Sequence, residues 1–194
     1  DRVDVVVAPP FTALAAVAHE IHDVRGSVDV THGFGVGVAA QNMHAAESGA
    51  YTGEISAPML HEAGASWVII GHSDRRQLFG ETDESVAAKT KAALEARIRP
   101  IVCVGETLAE REAGETLAVV ERQTRAFMAL FVDSPGYGVI AYEPVWAIGT
   151  GKVAKPEDAQ EVHVHIRELL VEVSEEVAEA TRILYGGRVK ADNA

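Results

Sequence analysis

Six short apolar runs rich in β-branched residues recur along this chain with amphipathic stretches between them, and no other feature restricts its fold as strongly. The runs are Val3–Ala8, Val36–Gln41, Trp67–Gly71, Pro100–Gly105, Gly138–Glu143 and Arg182–Tyr185. Helical spacing occupies Phe11–Val24, Ala57–Ala63, Asp83–Ala96, Leu117–Phe131 and Pro156–Val173. Runs of Val and Ile without polar alternation suit parallel strands, which crossover helices cover on both faces. Pro156 fits a first helical turn, where its missing N–H costs nothing, and Glu157 and Asp158 favour the same end electrostatically. The alternation therefore predicts an α/β fold, either an open doubly wound sheet or a closed (β/α)8 barrel, and periodicity alone does not separate the two. No Gly/Ser/Pro-rich linker divides residues 1–194, so a single domain is expected. A complete barrel takes about 250 residues. On the barrel reading roughly two βα units are wanting, and a chain that opens on Asp1-Arg2-Val3 without Met is expected to be cut.

Charge narrows the partners. With 17 Lys+Arg against 29 Asp+Glu the net charge is −12, which repels phosphate backbones and anionic lipid over most of a surface. Nucleic acid and membranes are not expected partners, and no apolar run approaches the roughly 20 residues of a membrane span. The one cysteine, Cys103, cannot form an intrachain disulfide, which fits a reducing, cytoplasmic setting. It lies within an apolar run and reads as a small core residue. No metal is expected: His19-Glu20-Ile21-His22 is one residue short of a zinc-binding pair, and His163 and His165 fall on different faces of a helix.

In parallel βα folds, reactive groups gather where strands end. Trp67-Val68-Ile69-Ile70-Gly71-His72-Ser73-Asp74-Arg75-Arg76 places His72 just past a strand, near the start of a helical turn. A helix N-terminus disfavours imidazolium, so such a histidine stays neutral and can donate to a substrate oxygen. In Val139-Ile140-Ala141-Tyr142-Glu143-Pro144, an acid ends a strand, and partial desolvation suits it to act as a general base. The following Pro144 to Lys152 reads as a lid, stiff between two bendable points, one at Pro144 and Trp146, the other at Gly149-Thr150-Gly151. Gly149-Thr150-Gly151-Lys152 is not a nucleotide P-loop, because Trp146 stands where that motif needs its first Gly. Tyr185-Gly186-Gly187-Arg188 lets backbone N–H groups approach an anion. The acidic stretch Glu172–Glu179 reads as a solvated helix end.

With these residues in view, the chain resembles the triosephosphate isomerase family over essentially its whole length. The resemblance is carried by Ala40-Gln41-Asn42, Gly49-Ala50-Tyr51-Thr52-Gly53-Glu54-Ile55-Ser56, the His72 motif, Ala141 through Lys152, and Tyr185-Gly186-Gly187. It implies a (β/α)8 barrel, here lacking about its first and last βα units, and a glycolytic enzyme that interconverts dihydroxyacetone phosphate and D-glyceraldehyde 3-phosphate through an enediolate. In that family Glu143 is the base and His72 the neutral electrophile; both roles come from the resemblance, since the family itself is the standard illustration of that pairing. The resemblance also implies that Gly149 gives the phosphate a backbone N–H, that Tyr185 steadies the closed lid, and that Thr52 lies on a loop inserted into the partner of a homodimer. Asp74, counted with the supporting residues, stands where the family has Glu, and its carboxylate is shorter by one methylene. Arg188 stands where the family has a phosphate-binding Ser. The family's early Asn-x-Lys element and its second Gly-Gly find no counterpart. No cofactor is implied, because proton transfer between adjacent carbons needs an acid–base pair and an oxyanion stabiliser. The alternative weighed against the enzyme is a non-catalytic binding or scaffold remnant of the same fold.

Overall fold

The computed structural model describes residues 3–25, 35–148, 153–187 and 189. Contacts divide the chain into two compact units, Asp1–Ile70 with Ala88–Pro100, and Gly71–Ala87 with Ile101–Ala194.

The first unit holds β1 (Val5–Val7), α1 (Phe11–Arg25), β2 (Val36–Ala40), α2 (Ala57–Glu62) and β3 (Trp67–Ile70). Its strands are parallel, with Val6 opposite Gly37 and Ala40 opposite Val68. Leu14, Val38, Ala39, Leu60, Val68 and Ile70 are buried, so apolar side chains from α1, α2 and the strands close one core. Helix α4 (Asp83–Glu95) belongs to both units, its last part to this one.

The second unit begins with α3 (Ser73–Phe79) and continues through β4 (Arg99–Val104), α5 (Leu108–Glu112), α6 (Thr116–Arg125), β5 (Val139–Tyr142), α7 (Pro156–Val173), α8 (Glu175–Ala180) and β6 (Arg182–Tyr185). Strands β4, β5 and β6 run parallel in register, with Val104 opposite Tyr142 and Tyr142 opposite Tyr185. Every residue of β5 is buried, as expected for a strand that is apolar on both faces. Val162, Ile166, Leu169 and Leu170, at helical spacing on α7, form its buried stripe.

All six expected strands are present: Arg182–Tyr185 keeps its expected ends, β4 begins a residue earlier at Arg99 and ends a residue sooner, and the other four are trimmed by a residue or two. Two helical expectations are corrected. Leu117–Phe131 is not one helix: α6 stops at Arg125, and Met128–Phe131 forms a separate 3₁₀ turn. Phe127 breaks the run by taking φ −130°, which lets it meet Phe131 at 5.7 Å between ring centroids in the core. The acidic stretch Glu172–Glu179 is more than the expected solvated helix end: its acids are exposed and α7 does end within it, but a second helix follows. Ser174, extended at φ −170°, ends α7 and caps α8 through its hydroxyl, which accepts from the Val177 amide, and α8 buries Val177 and Ala178. Helices α3 and α5 are too short for periodicity to reveal. Helix α5 is set by a capping box in which Thr107 and Glu110 each accept the other's backbone N–H. No described helix is long and apolar enough to cross a membrane.

Candidate active site

Residues of the second unit supply the site: the stretch from Gly71 onward, the end of β4 and the end of β5, each fixed by contacts within that unit. Gly71 follows β3 with φ +72°, and Arg76 latches this turn by donating from Nε to the Gly71 carbonyl at 2.8 Å and from Nη2 to that of Cys103 at 3.2 Å. Its Nη1 is held by Asp83 at 2.7 Å. The chain then enters α3 with His72 as N-cap. Its Nδ1 accepts from the Asp74 amide at 3.2 Å, which places the proton of the neutral ring on Nε2. Nε2 lies 2.9 Å from Oε1 of Glu143.

Glu143 is 5 % exposed and immediately follows β5. Its other oxygen, Oε2, accepts from the Ser73 amide at 2.9 Å. Its backbone N–H donates to the Val104 carbonyl at 2.8 Å, so the residue remains tied to β4 after the β5 strand ends. Gly105 and Gly186 flank it: a Cβ on Gly105 would overlap the Glu143 carbonyl, and one on Gly186 would reach its Cγ at 2.9 Å. The two glycines exist here because the carboxylate's backbone and stem pass where any side chain would stand.

The hydrogen bond that His72 donates to Glu143 raises the pKa of His72 above its usual value; burial opposes this, and the charges of Glu143 and Asp74 add to it. The Asp74 amide favours a bare Nδ1, and the Glu143 carboxylate favours a charged ring. With the folded pKa raised, the stabilisation is full below the unfolded value of about 6.5 and is lost as pH rises through the folded pKa. Thermal denaturation of the protein and of His72→Gln should therefore give the larger difference in Tm at about pH 5.5 and the smaller at about pH 8.5. A gap independent of pH would show that no charged pair forms.

Behind Glu143 lies a buried carboxylate that sequence reading passed over. Glu106, 0 % exposed, accepts from the Tyr142 hydroxyl at 3.1 and 3.2 Å and from Trp146 Nε1 at 2.8 Å, with Arg111 Nη1 and Thr116 Oγ1 each at 3.4 Å. Burial, with the Glu106 charge adding to it, pushes the Tyr142 hydroxyl well above its usual pKa, so it stays a donor. Glu106 follows β4 through Gly105 much as Glu143 follows β5, and that repeated pattern of an acid just past a strand was the available signal.

The structure thus brings together His72, Asp74 and Glu143. The Asp74 carboxylate is mostly exposed, with Oδ2 3.7 Å from His72 Nδ1, so its amide makes the closer contact. Tyr185 pairs with Tyr142 across the strands, and the next residue, Gly186, donates to the Tyr142 carbonyl at 2.7 Å. Of the lid span, Pro144 to Ile148 is described and includes a 3₁₀ turn at Val145–Ala147. Gly149 and Arg188 lie outside the described residues. Thr52 is exposed in the first unit, between Tyr51 and Gly53, the latter with φ +91°. Cys103 is buried, and burial pushes its thiol well above the usual pKa. Among the described residues, no group of three or more His, Cys, Asp or Glu side chains is placed to hold a metal.

The triosephosphate isomerase family model matches residues 1–194. The chain belongs to the triosephosphate isomerase family. It is 52% identical over 193 residues to a triosephosphate isomerase of Endomicrobium trichonymphae, covering 99% of this chain and 73% of that protein. It is 53% identical to that of Moorella thermoacetica, covering 99% and 74%, and 54% identical to that of Corynebacterium efficiens, covering 99% and 71%. Family membership decides between the two α/β architectures that periodicity left open: the parallel strands and their helices are those of the triosephosphate isomerase barrel.

Proposed function

We propose that this chain is an aldose–ketose isomerase that interconverts dihydroxyacetone phosphate and D-glyceraldehyde 3-phosphate, a glycolytic and gluconeogenic step. The observation that carries the reading is the pair formed by Glu143 Oε1 and His72 Nε2, 2.9 Å apart, with Nδ1 engaged by the Asp74 amide. When a hydroxycarbonyl substrate enters, its carbonyl oxygen takes the Nε2–H in place of Glu143. The carboxylate leaves the Ser73 amide and removes a proton from the adjacent carbon. The enediolate then carries its negative charge toward the imidazole N–H; His72 Nε2 gives its proton to that oxygen and takes the proton of the neighbouring hydroxyl, which becomes the new carbonyl, while Glu143 returns the abstracted proton to the other carbon. Moving Glu143 away also removes the main influence that raises the His72 pKa, so the ring is neutral when it must donate.

The family resemblance supports Gly149 meeting the phosphate and Tyr185 steadying the Pro144 to Lys152 lid. Asp74 holds His72 through its amide on Nδ1, and Arg188, where the family has Ser, adds positive charge for the phosphate. Thr52 lies on a loop that completes the site of a second copy, giving a homodimer in the cytoplasm. The reaction calls for no cofactor, since the acid–base pair and the N–H donor suffice. The test is enzyme-coupled turnover of D-glyceraldehyde 3-phosphate by the purified protein, with loss of the substrate C2 deuterium to solvent as the second readout. Absence of both turnover and exchange would overturn the reading. Sedimentation at micromolar concentration should give twice the chain mass, and Thr52→Arg should shift the distribution toward the monomer. A monomer in the unsubstituted protein would remove Thr52 from the proposal.

A further inference from the structure

Arg111, on α5, touches both described flanks of the segment that follows the catalytic carboxylate. On one side its guanidinium lies over the Trp146 ring, 4.2 Å from the centroid, and its Nη1 is 3.4 Å from the Glu106 oxygen that holds Trp146 Nε1. On the other, Nη2 donates to Asp158 Oδ1 at 2.8 Å, while Asp158 Oδ2 accepts from the Lys155 amide at 2.9 Å and so closes the first turn of α7. A planar, forked cation can stack on an indole and bond two carboxylates at once, which the point charge of a lysine cannot. The site is sheltered as well: Trp146 is 7 % exposed, Glu106 is fully buried, and Arg111 is 30 % exposed. Such a pairing is therefore unlike a solvated surface ion pair, whose strength water and salt remove.

We infer that Arg111 is a positioning residue, a two-ended clamp that fixes the Glu143–Ile148 segment relative to the first turn of α7 and so sets how reproducibly Glu143 reaches the substrate carbon. The kinetic part rests on the isomerase reading above; the clamp itself does not. Arg111 reaches Trp146, Glu106 and Asp158, so its influence on Glu143 travels through Trp146 and Glu106. The clamp has a consequence that a local ion pair lacks: loosening its Asp158 end must loosen Trp146, to which Arg111 connects it.

The experiment uses Arg111→Met, Arg111→Lys, Asp158→Asn and the Arg111→Met/Asp158→Asn pair, each also in a Trp67→Phe background that leaves Trp146 as the only tryptophan. Acrylamide quenching of Trp146 should rise about twofold or more in both Arg111→Met and Asp158→Asn, with a red-shifted emission. kcat should fall about tenfold or more in Arg111→Met with a smaller change in KM, and by an intermediate factor in Arg111→Lys. The paired variant should be no slower than Arg111→Met, because both substitutions break one unit. Quenching of Trp146 that is unchanged by Asp158→Asn overturns the clamp, and so do losses in kcat that multiply in the paired variant. Should Arg111→Met fail to fold, Asp158→Asn alone decides through the same fluorescence. Absence of turnover in the unsubstituted protein counts against the isomerase reading only, since quenching reads the clamp without substrate.

Discussion

Glu143→Gln should lower kcat about 10³-fold or more while leaving KM for D-glyceraldehyde 3-phosphate within about threefold, because the amide fills the same space but cannot take a proton. The structure adds a second consequence. Glu143 now accepts two hydrogen bonds, from His72 Nε2 and from the Ser73 amide, with its two oxygens. A glutamine has one oxygen, so in either orientation its NH₂ faces a donor, and the buried conflict should cost about 1–3 kcal/mol of stability. Relief by moving the His72 proton to Nδ1 is opposed by the Asp74 amide, which occupies that nitrogen. Glu143→Asp is the control, since it keeps both acceptors but draws them back by a methylene. It should retain stability better than Glu143→Gln and still lose about 100-fold in kcat, the effect of a displacement near 1 Å. Steady-state kinetics and thermal denaturation on the three proteins separate the chemical loss from the structural one. Near-native turnover in Glu143→Gln would falsify its assignment as the base.

How much of this was legible beforehand follows from what each feature depends on. The strands were readable because parallel strands buried on both faces must be continuously apolar, as Val139–Tyr142 is. His72 and Glu143 were readable because both are polar residues placed immediately after such runs. The break between α6 and Met128–Phe131 was not, since Leu117–Phe131 keeps helical spacing and the interruption at Phe127 serves a packing need of two rings that only the folded core reveals. Helix α8 was hidden by its charge: Ser174-Glu175-Glu176 carries a cap and first-turn acids, yet the apolar payload is only Val177 and Ala178. Glu106 was hidden for the opposite reason. A lone glutamate in a loop reads as solvated until Arg111 and Thr116 from one stretch of chain, and Tyr142 and Trp146 from another, are seen to converge on it. Long-range polar convergence leaves no periodicity in a sequence, whereas its parts, an acid after a strand or an Arg on a short helix, look ordinary one by one.

Gly105→Ala should be the most damaging substitution that leaves every reactive group in place. The added Cβ would overlap the Glu143 carbonyl oxygen and stand 2.7 Å from its carbon and 3.3 Å from its Cα, all of it backbone. Side chains can rotate out of such a contact, but this backbone is pinned by the Glu143 amide on Val104 and by Gln123, whose Oε1 accepts from the Gly105 amide at 2.7 Å. Either the β4 end or Glu143 must move by about 1 Å, and a shift of that size at a catalytic group costs about 100-fold in rate. The strain and the disturbed hydrogen bonds should also remove about 1–3 kcal/mol or more of stability, as overpacking of a filled site does. Gly186→Ala provides the comparison. Its Cβ meets the Glu143 Cγ at 2.9 Å, a side-chain atom that can turn, and the Tyr142 oxygen at 3.2 Å. It should therefore cost less stability than Gly105→Ala while still slowing turnover, because the stem it displaces carries the carboxylate proposed as the base. Full kcat/KM in Gly105→Ala would mean that the strand ends yield without carrying Glu143 along, and the account of how this fold aims its carboxylate would fail.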